Sequence, residues 1–195
     1  PEFLKNTFYN LTDVYGLLGA KAAAPPLGLL IVAALLPKHW PLEFVDHDVT
    51  PLTEEHLDWA DIVFVGGIGP QQETILRVVR RAQAKGKLVV VGGSGPTLQP
   101  HVYSEADFVV SGEAEDTIPQ LLADLKEGKR SGLYYSGERV DVSKMVTPRY
   151  DLAHLDQYMF VGVGLTRGCP FTCEFCAQIE IFGRTPRMKS PEQIL

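Results

Sequence analysis

The chain has 195 residues, room for one domain and part of a second. Apolar residues make up 45% and charged residues 22%, the balance of a folded soluble protein. A formal net charge of −6 argues against a broad nucleic-acid surface, and three cysteines gathered within residues 169–176 argue against a disulfide framework. That clustering instead points to a metal site in a reducing, cytoplasmic setting. Both ends read as cut. The chain opens at Pro1-Glu2-Phe3 without Met or a leader pattern, and it closes on what reads as a first helical turn. That turn has Ser190 as N-cap, Pro191 at the first helical position and Gln193 completing a capping box.

Residues 1–24 are mixed and carry no assignment. The apolar run 22–36 is too short for a membrane span and contains Pro25 and Pro26. From Pro26 the spacing of Leu27, Leu30, Ile31, Ala34 and Leu35 predicts a helix facing a core. Residues 42–46 read as a short strand and 52–59 as loop or short helix. Residues 62–65 predict a strand ended by Gly66-Gly67. A helix over 71–84 follows, with Ile75, Leu76, Val78, Val79 and Ala82 on its apolar side and Gly86 near its C-cap. Strands at 88–91 and 108–110 end at Gly92-Gly93-Ser94 and at Gly112-Glu113, and a helix over 116–126 closes the series.

Strand, glycine turn and helix in alternation predict an α/β fold with a parallel sheet. The strands are continuous apolar runs, as they must be when helices cover both faces. A ligand site then lies beyond the carboxyl ends of the strands, where the glycine turns fall. Residues 128–156 lose this period, and Thr147-Pro148-Arg149 reads as linker. A strand is expected over 158–165, running directly into Thr166-Arg167-Gly168-Cys169.

Cys169, Cys173 and Cys176 stand at C-x3-C-x2-C spacing. A short loop of this kind can wrap three thiolates around three irons of a 4Fe-4S cube and leave the fourth iron open. Two other readings stand beside it. A closed zinc site needs a fourth Cys or His, and the nearest histidine, His154, lies upstream across a predicted strand. An electron-transfer cluster needs a fourth Cys.

The cysteine spacing, Phe175 before the last Cys and the preceding strand resemble the radical S-adenosylmethionine (SAM) superfamily. Thr166-Arg167-Gly168 through Cys176, Ile181-Phe182-Gly183-Arg184, Pro186-Arg187, Pro25-Pro26-Leu27-Gly28-Leu29-Leu30 and Gly112-Glu113-Ala114-Glu115 are similar to its cobalamin-dependent branch, which includes the hopanoid methylases. The resemblance implies a flavodoxin- or Rossmann-like cobalamin-binding domain over 1–140, its first strand absent. A linker over 141–156 and the truncated start of a radical SAM partial (β/α) barrel over 157–195 would follow.

The resemblance further implies that SAM binds the open iron and that Phe175 shields the cluster and contacts SAM, the other reading of Phe175 being that it fills a core. Gly66, Gly67, Gly92, Gly93, Ser94, Gly112 and Glu113 would line the cobalamin tail pocket. Glu113 has a second reading as a helix cap. Glycine after a strand is also common with no ligand, its role being to let backbones approach. Arg184 and Arg187 either balance cluster charge, grip a substrate anion, or form a solvated basic stretch. The Asp-x-His-x-x-Gly pattern of many cobalamin domains does not occur, and His39, His47, His56 and His101 all lie outside it. The methylase branch generally lacks that His as well.

The function so implied is methylation of an unactivated carbon, with one SAM methylating cobalt and a second giving the 5′-deoxyadenosyl radical. The substrate is a small molecule, lipid-like by the family's suggestion. An electron donor such as flavodoxin or ferredoxin is required, and neither nucleic acid nor a transmembrane segment is involved. This chain alone is expected to be inactive. The rivals are a non-methylating cobalamin radical SAM enzyme of cyclase or oxidase type and a non-catalytic cobalamin-binding, iron–sulfur protein.

Overall fold

A computed structural model describes residues 12–137 and 139–194. Thr12–Leu17 forms α1 and Leu27–Leu35 forms α2. The second helix begins only after Pro26, because a proline inside a helix removes a backbone donor and clashes with the preceding turn. Glu54–Trp59 is α3, opened by Thr53, whose side chain accepts from the His56 N–H. Ile62–Gly66 is β1, Gln72–Ala84 is α4 and Leu88–Gly92 is β2. Ser94–Leu98 is the short α5, Phe108–Ser111 is β3 and Ala114–Lys126 is α6. Gly132–Tyr135 is β4, Thr166–Arg167 is β5, Gln178–Phe182 is α7, Arg187–Met188 is β6 and Pro191–Ile194 is α8.

The strands β1-β2-β3-β4 form one parallel sheet in that order. Side chains alternate across it, so each strand feeds two cores. On one face Val65, Val89, Val91 and Val109 pack with Leu57, Ile75, Val79 and Tyr103. On the other face Val90, Phe108 and Val110 pack with Leu36, Ile118, Leu121 and Tyr134. This two-sided burial is why the strands read as unbroken apolar runs. All five apolar residues expected on the core side of α4 are buried.

Four features depart from the sequence reading. Residues 42–46 make no strand. Between residues 40–45 and the edge strand β1 lies an apolar cleft of about 580 Å³, so the segment has no ladder to join. Residues 158–165 also form no strand, apart from one isolated bridge of Tyr158 to Ala22. Met159, Phe160, Val161, Val163 and Leu165 are exposed, and among the described residues no barrel surrounds them. Residues 132–135, read as irregular, are instead the fourth strand, held by Tyr134. Its ring lies 6.3 Å from that of Phe108 and its hydroxyl donates to Asp124 at 2.8 Å. Finally, Ser94 opens a helix that was not expected. The closing turn forms with half of the expected capping box: the Gln193 side chain accepts from the Ser190 N–H at 3.0 Å, while the Gln193 N–H goes to the Ser190 carbonyl.

Among the described residues no helix is long and apolar enough to cross a membrane. Phe108 is fully buried at the centre of the second core. Phe108→Ala is expected to lower the unfolding free energy by about 3–5 kcal/mol, measured by urea denaturation followed by circular dichroism.

Candidate functional site

The carboxyl ends of β1, β2 and β3 open onto a cavity of about 460 Å³. Gly66, Gly67, Gly92, Gly93, Ser94, Gly112 and Glu113 all line it, so the residues singled out from the sequence converge on one place. Its walls are mostly apolar, with Leu29, Val65, Val90 and Ile118 among them, and Asp46, Asp48, Gln71 and Glu115 also line it. The volume lies in the range of small-molecule and cofactor sites.

Two of the glycines are required by backbone geometry. Gly93 has φ +104°, and a Cβ there would stand 2.6 Å from the Gly67 carbonyl oxygen. Gly112 has φ +103°, and a Cβ would meet the Ser136 side chain at 2.5 Å. Only glycine adopts these conformations freely, and the turns are packed too closely for any side chain. Close approach of protein to protein therefore accounts for these glycines. The consequence is a stretch of cavity lining without side chains, in which Gly93 is exposed and Gly92 and Gly112 are half-buried.

Thr97, not foreseen from the sequence, ties two of the turns together. Its hydroxyl donates to the Gly93 carbonyl at 2.7 Å and accepts the Gly112 N–H at 2.9 Å. A Thr one turn after a glycine N-cap was the available signal. Ser94 is half-buried in the lining.

The cavity is closed on one side by Arg167, Ile181 and Phe182, which belong to the cysteine-bearing segment. Arg167 lies on β5, two residues before Cys169, and pairs across the antiparallel ladder with Arg187 of β6. Both reach Glu113. Arg167 Nη1 donates to Glu113 Oε1 at 3.0 Å, and Arg187 donates through Nη2 to Oε1 and through Nη1 to Oε2, each at 2.9 Å. The Val140 N–H adds a bond to Oε2 at 2.8 Å. Arg167 also forks onto Glu115, at 2.9 and 3.0 Å, and lies over the Phe182 ring.

The Glu113 side chain has no solvent exposure. Burial pushes its carboxyl up, but the bonds from Arg187, Val140 N–H and Arg167 outweigh this and hold it below the ordinary carboxylate range. Burial likewise opposes the charge on Arg167, and Glu115 and Glu113 overcome it. Glu113 occupies the N-cap position of α6, yet its side chain does not cap the helix, because the arginines take it instead. Arg187 is thus an internal strut, whereas Arg184 is exposed.

Gly168 has φ +90°, and Gly183 accepts the Cys169 N–H at 3.1 Å, which fixes the root of the cysteine loop. The three thiols form no disulfide, with Cys173 exposed and Cys169 and Cys176 half-buried. Phe175 is 93% exposed and Phe171 71% exposed, so neither fills a core. Among the described residues, no group of three or more His, Cys, Asp or Glu side chains is arranged around a metal position. As chemistry, three free thiols on one short exposed loop are the soft donor set that iron–sulfur clusters use.

Known proteins resemble this chain over most of its length. The model of the B12 binding domain matches residues 17–122, which carry all seven cavity residues singled out above. An uncharacterized methyltransferase of Synechocystis sp. is 40% identical over 191 residues, covering 97% of this chain and 36% of the relative. Hopanoid C-2 methylase of Rhodopseudomonas palustris is 35% identical over 200 residues, covering 100% of this chain and 38% of the relative. An anaerobic magnesium-protoporphyrin IX monomethyl ester cyclase of Synechocystis sp. is 25% identical over 205 residues, covering 84% of this chain and 40% of the relative. The chain therefore spans little more than a third of the first two relatives.

Because the folded-state pKa of Glu113 is lowered, the stability it contributes is present above the ordinary carboxylate pKa and is lost as pH falls through the lower value. Glu113→Gln leaves the buried arginines without their counter-charge and is expected to cost about 3–5 kcal/mol near neutral pH. That gap should stay level down to about pH 5 and close below about pH 4, as read by urea unfolding of both proteins across a pH series.

Proposed function

The chain belongs to the B12 binding domain family, and from that premise we propose that it is the cofactor-bearing part of a radical SAM enzyme that methylates an unactivated carbon. Residues 1–140 form the cobalamin-binding unit, 141–156 the connection and 157–195 the beginning of the SAM-binding unit. The observation that carries this reading is one of place. The three-cysteine loop is rooted, through Arg167 and Arg187, on the rim of the glycine-lined cavity that the B12 binding model covers.

Cys169, Cys173 and Cys176 hold a 4Fe-4S cluster with one iron left for SAM. Phe175, exposed beside Cys176, covers SAM when it binds. Gly66, Gly67, Gly92, Gly93 and Gly112 present backbone to the cobalamin tail, and Ser94 offers a hydroxyl. Glu113 serves that pocket through the arginines it holds. When bound, the cluster with SAM supplies a 5′-deoxyadenosyl radical and cobalamin supplies the methyl group, a route to an inert C–H bond that acid–base side chains lack. The chain's own part is to hold the two cofactor sites side by side, to wall the cavity with apolar side chains that exclude water, and to keep the thiols ligand-competent in a reducing cytoplasm. The substrate is a small molecule, and the hopanoid methylase relative favours a lipid-like one. The electron comes from a donor of flavodoxin or ferredoxin type.

The test uses the full-length protein, reconstituted anaerobically with iron, sulfide and cobalamin. The expected outcome is about four irons per chain, 5′-deoxyadenosine formation from SAM, and transfer of label from methyl-labelled SAM to product. Each of Cys169→Ala, Cys173→Ala and Cys176→Ala should abolish 5′-deoxyadenosine formation while leaving cobalamin binding intact. Product that never carries the label would move the protein to the cyclase type of its cyclase relative. Zinc without iron or sulfide would end the reading.

A further inference from the structure

The geometry points to Glu113 as a positioning residue that sets the separation and angle between the cysteine loop and the cavity. This inference rests on the function proposed above and goes beyond it, since the resemblance placed Glu113 only among the cobalamin contacts. A carboxylate offers about four acceptor positions. Glu113 has four donors on it: Arg167 Nη1, Arg187 Nη1, Arg187 Nη2 and the Val140 N–H. Nothing is left for a ligand, and the side chain is fully buried.

What the carboxylate holds is specific. Arg167 and Arg187 face each other on β5 and β6, the two arms that flank the cysteine loop and α7. One residue therefore grips both arms. Its own backbone follows Gly112 at the end of β3, in the wall of the cavity. The second guanidinium reaches further. Arg187 donates to the Phe182 carbonyl at 3.1 Å and to the Val140 carbonyl, and Arg139 donates to the Ile181 carbonyl, so the last turn of α7 is held as well. Phe182 in turn lines the cavity beneath Arg167.

An apolar contact could attach the loop to the domain but would leave its angle loose. A forked guanidinium–carboxylate pair fixes direction as well as distance. Buried ion pairs add little to stability over an apolar replacement, and their best-attested use is to fix registry. Here the registry is between two cofactor sites, and Glu115, sharing Arg167, reinforces it.

The test is the distance distribution between the reduced cluster and cob(II)alamin in the loaded full-length protein, read by pulsed electron paramagnetic resonance. The wild type should give one narrow distribution. Glu113→Gln and Arg187→Lys, which lose the fork, should bind both cofactors yet give a broad one. Each should also form 5′-deoxyadenosine about 10- to 100-fold more slowly, the usual cost of removing a group that orients a metal site. Glu113→Asp should restore part of the sharpness. A merely structural role would lower the folded yield and leave the distance sharp in the molecules that fold. Wild-type distributions in the variants would overturn the inference, and Arg187→Lys decides alone if Glu113→Gln does not fold. A wild type that lacks the iron–sulfur or cobalamin signal would bring down the proposed function and this inference together.

Discussion

One buried carboxylate joins the two halves of the site. Glu113 stands at the end of a strand in the centre of the parallel sheet and receives arginines from both arms of the cysteine hairpin. Desolvating three charges is costly, and the forked pairing offsets it, with Arg187 Nε alone among their donors buried without a partner. The second acid, Glu115, makes the count even against Arg167 and Arg187. Beyond Arg167, the positive-φ Gly168 and the end of α7 are held by this contact together with the bond from Arg139 to the Ile181 carbonyl.

The sheet makes the contact possible. Parallel strands end together at one edge, so three glycine turns and Glu113 arrive at the same rim from distant parts of the chain. The tight packing of Gly93 on Gly67 and of Gly112 on Ser136 forbids side chains there. A requirement internal to the protein thus produces the bare backbone that a large cofactor needs, and folding and ligand access favour the same residues.

Much of this was legible in the sequence. The alternation of apolar runs with glycine turns identified β1, β2 and β3, and the 3.6-residue period of Ile75, Leu76, Val78, Val79 and Ala82 identified α4. The rule that α/β sites lie at strand carboxyl ends located the glycine turns, and the family resemblance supplied the lining residues, Ser94 and Glu113 included. What was missed depended on partners. Residues 42–46 and 158–165 have strand-like composition, but a strand exists only when a neighbour takes its hydrogen bonds. The strand at 132–135 was hidden because its aromatic residues follow a charged, glycine-bearing stretch. The role of Glu113 was invisible because its arginines lie more than fifty residues away in the chain. Local pattern suggested a helix cap there, and long-range charge pairing overrode it.

Anomalous scattering recorded at the iron and cobalt edges, from crystals of the full-length protein loaded with both cofactors, would locate each metal independently. Iron is expected at the loop of Cys169, Cys173 and Cys176, and cobalt beyond the carboxyl ends of β1 to β3 on the side closed by Arg167 and Phe182. Cobalt bound elsewhere, or a lone zinc at the cysteines, would contradict this arrangement.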